Sequence, residues 1–174
     1  MAIIVCPLSR APDIARERKP SHVVSLLDPG TAFPTLHGYR DDQRLMLGVH
    51  DIEMEMDGLE LPHARHMRAI LDFVGGWDRA DPMLIHCYAG ISRSTATAFI
   101  TACMHNPDTD EKRIALTLRE ASPHANPNRR FVALADAALN RKGRMSAAIE
   151  SIGRGASWID IGENKPFTLA SRYA

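Results

Sequence analysis

Residues His86–Ser94 read HCYAGISRS: a cysteine stands six positions before an arginine, across a segment that holds one glycine and no acidic residue. Upstream, Met83–Cys87 (MLIHC) is an apolar run of strand length, and downstream STATAFITACM is rich in small residues suited to a helix packed close to a sheet. Its threonines weaken the local helix preference. A strand that runs through a glycine-bearing loop into a helix leaves main-chain N–H groups converging at a helix N-terminus, a place for an anion, whether a thiolate or a bound oxyanion. Arg93 adds a planar fork able to hold two oxygens at once. Tyr88, Ala89, Gly90, Ile91, Ser92 and Arg93 are therefore the candidate anion-binding loop, and Cys87 at its mouth is the candidate nucleophile.

Apolar runs of strand length also occur at Ile3–Leu8, His22–Leu27 and Arg44–Val49. Leu61, Ala64, Met67, Leu71 and Val74 share one helical face that closes at Gly75 and Gly76. Asp108 with Glu111 resembles a capping box opening TDEKRIALTLREA, and Asn126 followed by Pro127 reads as the cap of a further helix, making three helices after the loop. This alternation predicts an α/β fold with a mainly parallel central sheet of about four or five strands flanked by helices, ligands sitting beyond the carboxyl ends of the strands. One domain is expected over 1–174. Its glycine-interrupted tail, from about residue 142 to 174, is expected to dock through Trp158, Ile159, Ile161, Phe167 and Leu169. A lid over the cleft is the lesser reading of Trp158 and Phe167.

With 21 basic and 21 acidic side chains the formal net charge is zero, so no global field gathers nucleic acid or an anionic membrane, and an anion must be held by local geometry. Cys6, Cys87 and Cys103 are odd in number and lack paired spacing, which argues against a disulfide framework, a metal site or a cofactor ligand set, and for a reducing compartment. No basic segment precedes the short apolar start and no stretch is long and apolar enough to cross a bilayer; a cytoplasmic location is the expectation. Cys103 lies roughly 16 Å along a helix from the loop, too far for a disulfide with Cys87, whereas Cys6 remains open and reads as core.

HCYAGISRS matches the His-Cys, five residues, Arg-Ser signature of the protein tyrosine phosphatase superfamily, and AGISRS most resembles its dual-specificity branch. REASPHANPNRRF (119–131) is similar to the Arg and Pro-Asn-x-x-Phe segment that those phosphatases carry two helices after the loop, so the likeness spans about residues 40 to 140. The resemblance implies the cysteine phosphatase fold and a reaction that requires no metal. In it Cys87 attacks phosphorus to give a cysteinyl-phosphate, Arg93 clamps the phosphoryl oxygens and Ser94 hydrogen-bonds the sulfur. His86 helps to hold the loop and keep the cysteine ionised. Phosphate, sulfate or vanadate would occupy the loop. The implied substrate is a phosphorylated protein or peptide, phosphotyrosine first, with phosphoserine and phosphothreonine left open. Full ionisation of a thiol is worth only about 2 kcal/mol, against rate enhancements for phosphate monoesters that approach ~10²¹, so the clamp and the loop amides must supply most of the catalysis.

The family keeps an aspartate about thirty residues before the cysteine as general acid. GVHDIEMEMDG offers Asp51, which directly follows a strand, and Asp57, which has the better spacing. Asp51 is preferred and Asp57 kept open; the competing reading makes Asp51, Glu53, Glu55 and Asp57 one solvated face of an extended segment. Arg129, Arg130, His50, His63 and His124 carry no partner pattern and are not assigned. Two other functions remain: a phosphatase of a phosphoinositide or small phosphate metabolite, disfavoured because the loop holds no lysine, and a non-catalytic phospho-binding module, disfavoured because nucleophile and clamp are both present. No substrate-stacking tyrosine loop is recognisable, which favours a shallow cleft.

Overall fold

Strands without a polar face need cover on both sides. The computed structural model, which describes residues 1–173, supplies that cover; Ala174, the last residue of the expected tail, lies outside the described residues. Strands β1 (Ala2–Pro7), β2 (His22–Leu27), β3 (Arg44–Gly48) and β4 (Met83–Cys87) pair in parallel, and β5 (Phe167–Ala170) runs antiparallel on the outer edge of β1, giving the order β3-β2-β4-β1-β5. Helices α2 (Ala64–Gly75), α3 (Arg93–His105), α4 (Glu111–Ala121), α5 (Arg129–Ala138) and α6 (Arg144–Ser151) build the larger core with Ile3, Val5, Ile85 and Cys87. Helix α1 (Ala11–Arg18) covers the other face, over Ile4, Cys6, Val23 and Leu84. No helix among the described residues is long and apolar enough to cross a membrane.

The two-faced core resolves the cysteines. Pro7 is the partner of Cys87 in the β1–β4 register, so Cys6, one residue earlier, belongs to the opposite face of the sheet. All three cysteines are free and buried, and burial, aided by the nearby Cys87, pushes the Cys6 thiol up to about 12, the state of an inert core residue. Helix α3 is buried over eleven consecutive residues, Arg93 to Cys103. Its threonines fit there because their hydroxyls return to the helix backbone: Thr97 donates to the Arg93 carbonyl (2.9 Å) and Thr101 to that of Thr97 (2.7 Å).

Four sequence expectations shift. Helix α4 is capped by Asp110, which accepts from the Lys112 N–H, not by Asp108. Helix α5 is capped by Asn128, which accepts from the Phe131 N–H, because Asn126 is drawn instead into contact with the anion loop. The tail contributes a fourth helix after the loop, α6, whose Met145, Ala148 and Ile149 are core residues. Of the expected tail anchors, Leu169 is buried and Phe167 half-buried, but Trp158, Ile159 and Ile161 are exposed. Polar contacts hold the intervening chain instead. Arg119 donates to the carbonyls of Pro123, Ala125 and Gly153, and a Cβ on Gly155 would lie 2.5 Å from the Ala125 carbonyl oxygen, so only glycine lets the two backbones approach.

A buried ion pair fastens the start of α4 to the chain entering α6: Arg141 donates to Glu111 (3.1 Å) and to the carbonyls of Cys103 and Pro107. Arg144 reaches the same carboxylate from a side chain that is more than half exposed. Arg141→Ala, which removes the buried partner of Glu111 and leaves it only the exposed Arg144, is expected to cost about 3 kcal/mol, and Arg144→Ala under about 1 kcal/mol, as read from urea unfolding curves.

Candidate active site

Three adjacent parallel strands deliver the candidate residues from their carboxyl ends, the position expected of a ligand site in such a sheet. Cys87 ends β4, Asp28 follows β2, and the Val49–Asp51 segment follows β3. Beside them the end of β1 backs the loop: the Leu8 N–H donates to the Tyr88 carbonyl (3.0 Å), and a Cβ on Gly90 would meet the backbone of Cys6 and Pro7 at 2.9 Å. Gly90 also has φ +71°, so glycine is required there both by conformation and by space.

Every loop carbonyl from Tyr88 to Ser92 is taken by a donor outside the ring. Asn164 donates its N–H to Ala89 (2.8 Å) and its Nδ2 to Gly90 (3.1 Å); the Asn126 N–H and the Thr95 hydroxyl donate to Ile91; the Ala96 and Asn128 N–H groups donate to Ser92. Among the described residues the N–H groups of Tyr88 to Arg93 donate to nothing. Ser92 is the N-cap of α3, yet its hydroxyl makes no capping bond, because it donates to Asp51 Oδ1 (2.7 Å). The first turn of α3 therefore keeps free donors for an anion.

Cys87, 3% exposed, has its sulfur 3.1 Å from the Ser94 hydroxyl. Arg93 is 5% exposed, and its Nη1 donates to both Asp28 Oδ1 and the Val49 carbonyl, each at 2.7 Å. With Nη1 committed, the buried Nε has no partner, a donor that awaits an acceptor. Asp51 Oδ1 accepts from Ser92 and from Asn128 Nδ2 (2.8 Å), and Oδ2 accepts from no side chain among the described residues.

These groups line one cavity of ≈410 Å³, shared by Cys87, Arg93, Asp51, Asn128, Glu53 and Trp158. Of the other expected loop residues, Tyr88, Ala89, Ile91 and Ser92 line it, whereas Gly90 and Ser94 stand behind it. Asp57 is exposed and lies outside the cavity, as do Arg129 and Arg130. Two larger cavities, of ≈700 and ≈590 Å³, contain neither thiol nor Arg93 nor Asp51. Among the described residues no group of three or more His, Cys, Asp or Glu could hold a metal ion.

Asp28, Glu53, Asn128 and Asn164 carry no site reading in the sequence, and Trp158, whose lesser reading is a lid over the cleft, lines the cavity. Asp28 directly follows an apolar run and Asn128 falls within the Pro-Asn segment, so both had a signal; Asn164 and Trp158 reach the loop from a tail with no local pattern. Trp158, 46% exposed, faces the cavity rather than the core, and Arg154, paired with Glu53 at 3.6 Å, ties the tail to the Asp51 segment.

No protein-family model matches the chain, and no curated protein matches it. Solved structures do. That of DUSP15 superposes with a TM-score of 0.58 at 20% identity, covering 84% of this chain and 89% of that one. The human tyrosine phosphatase-like serine/threonine/tyrosine-interacting protein gives 0.60 at 19% identity, over 79% and 91%. PTPMT1, in complex with PI(5)P, gives 0.54 at 11% identity, over 85% and 90%. The chain thus has the dual-specificity phosphatase fold expected from its loop.

His86 is fully buried, with Nε2 2.7 Å from the Ser25 hydroxyl and Nδ1 3.4 Å from the Cys87 carbonyl. A carbonyl only accepts, so the proton sits on Nδ1 and Ser25 donates to Nε2. Burial lowers the imidazole pKa to about 4, so the ring is neutral near pH 7 and ties β4 to β2 without lending Cys87 a positive charge. A folded pKa below the unfolded value means that stability present above about 6.5 is lost as pH falls toward 4. Between pH 7 and 4.5 this single group is expected to remove about 2 kcal/mol, and His86→Gln to flatten that part of the unfolding free energy against pH.

Proposed function

We propose that this chain is a cysteine-dependent protein phosphatase that hydrolyses phosphotyrosine through a cysteinyl-phosphate. The observation that carries the reading is a buried guanidinium whose Nη1 is fixed by Asp28 and Val49 and whose Nε is unpartnered, in the same cavity as Cys87 and ringed by uncommitted N–H groups. That arrangement is complementary to an oxyanion.

In the first step the thiolate of Cys87 forms the S–P bond as the P–O bond to tyrosine breaks, and the leaving oxygen takes a proton from Asp51. Oδ2 is the oxygen suited to that transfer, since Oδ1 already accepts two hydrogen bonds. In the second step Asp51, now a base, takes a proton from water as its oxygen attacks phosphorus. The S–P bond breaks, and the Ser94 hydroxyl donates to the departing thiolate. Arg93 and the loop amides hold the equatorial oxygens throughout. The substrates are phosphorylated polypeptides, and phosphate, sulfate or vanadate binds in the ring as a competitor.

A purely phospho-binding role fits the same fold, but it leaves Asp51 and Ser94 without a task. Cys87→Ser is expected to abolish turnover of phosphotyrosine peptide while retaining its binding, and Arg93→Ala to lower kcat/KM by about 10²–10³ or more. Asp51→Asn is expected to lower kcat about 10²–10⁴-fold with phosphotyrosine, and far less with p-nitrophenyl phosphate, whose leaving group needs no proton. Asp57→Asn should change neither. Steady-state assays on both substrates check this, and equal effects of the two aspartates would displace Asp51 from the acid role.

A further inference from the structure

Among the described residues ten large hydrophobic side chains stand exposed, and seven of them lie on the three segments that border the catalytic cavity. Met54, Met56 and Leu59 belong to the 50–60 loop, Tyr88 to the anion loop, and Trp158, Ile159 and Ile161 to the tail. Exposed apolar residues scattered singly need no explanation, but a concentration around one cavity marks a surface that is covered in use.

The segments that carry them are fastened at both ends. The 50–60 loop is closed by a hydrogen bond from the Glu60 N–H to His50 Nδ1 (2.8 Å), with Asp51 held by Ser92 and Asn128 on its inner side. The tail strap from Arg154 to Asn164 is pinned at one end by Ala156 on Pro123 and the Arg154–Glu53 pair, and at the other by Asn164 behind the anion loop. Between those pins its apolar side chains project outward, Ile159 to 80% exposure. An anchored strap with its apolar residues outside is built to contact something else.

Charge indicates the occupant. Residues 50–60 carry five carboxylates, Asp51, Glu53, Glu55, Asp57 and Glu60, and no lysine or arginine. The strap and its exit add Asp160 and Glu163 against Arg154 and Lys165; Arg154 pairs with Glu53 and Arg65 with Glu60, which leaves Asp51, Glu55, Asp57, Asp160 and Glu163 against Lys165 on these two segments. An anionic bilayer would meet net negative charge around the cavity, whereas a polypeptide with apolar and basic residues would meet complementary surface.

We propose that this rim docks the residues flanking a phosphotyrosine and favours apolar and basic flanks over acidic ones. The inference rests on the phosphatase reading and deepens it by naming the class of sequence the site selects. The test compares p-nitrophenyl phosphate, two phosphotyrosine peptides of equal length, one with leucine and arginine flanks and one with serine and aspartate, and a phosphatidylinositol phosphate in phosphatidylserine-containing vesicles. The leucine–arginine peptide is expected to exceed the other in kcat/KM by about tenfold or more and the vesicles to lag both. The double variant Met54→Ser with Ile159→Ser, altering two residues outside the cavity, should bring the peptide ratio within about twofold while p-nitrophenyl phosphate turnover stays at the wild-type rate. Titration of both peptides against Cys87→Ser reads the same preference as a Kd ratio, without chemistry. Preference in binding without any hydrolysis would strike the phosphatase reading alone. Hydrolysis with no peptide preference, a preference the double variant keeps, or vesicles turned over faster than peptides would overturn the docking surface.

Discussion

The outward commitment of five consecutive carbonyls, Tyr88 to Ser92, is the constraint on which the site depends. A peptide unit has its N–H and C=O on opposite sides, so fixing the oxygens outside the ring turns the nitrogens inward. Leaving a buried polar group unpaired costs about 1–3 kcal/mol, so each outer donor also holds its peptide unit against reversal. Those donors come from the end of β1, the first turns of α3, the 126–128 segment and the tail. The concavity is thus built before any anion arrives, and its dipoles need no reorganisation when charge develops.

The same division of labour governs Arg93. A buried guanidinium with nothing but a transient ligand would be expensive, and Asp28 and the Val49 carbonyl offset that cost through a single nitrogen. They occupy Nη1 and spare Nε, so stabilising the charge and aiming it are achieved by the same two contacts. Asp28 is itself half exposed, which keeps it hydrated and prevents a fully sequestered ion pair from competing with the oxyanion.

What was legible in the sequence follows from range. Four parallel strands and the cysteine loop are written in contiguous residues, the strand bounds within one position, whereas α2 begins at Ala64 and leaves Leu61, expected on its face, outside the helix. The fifth strand and the supports of the loop are not so written: Asn164 meets Gly90 across 74 residues, and no periodicity marks it. The cap of α5 moved two residues because the Asn126 N–H is claimed by the Ile91 carbonyl, and the cap of α4 lies two residues on, at Asp110. Trp158, Ile159 and Ile161 were misread for a more general reason, since hydrophobicity forecasts that a surface will be covered and not whether the cover is the chain's own core.

That distinction gives the tail two tasks in one stretch. Asn164 stands behind the loop and holds the carbonyls of Ala89 and Gly90, while Trp158 and Gly162, six and two residues before it, are part of the front wall. A contact made by substrate on the strap therefore bears on a segment whose far end determines where two loop amides point. Binding energy gained away from phosphorus is useful to catalysis only when it is expressed at the reacting centre. In this fold the path between the two is six residues of backbone, from the tryptophan that lines the cavity to the asparagine that secures the ring.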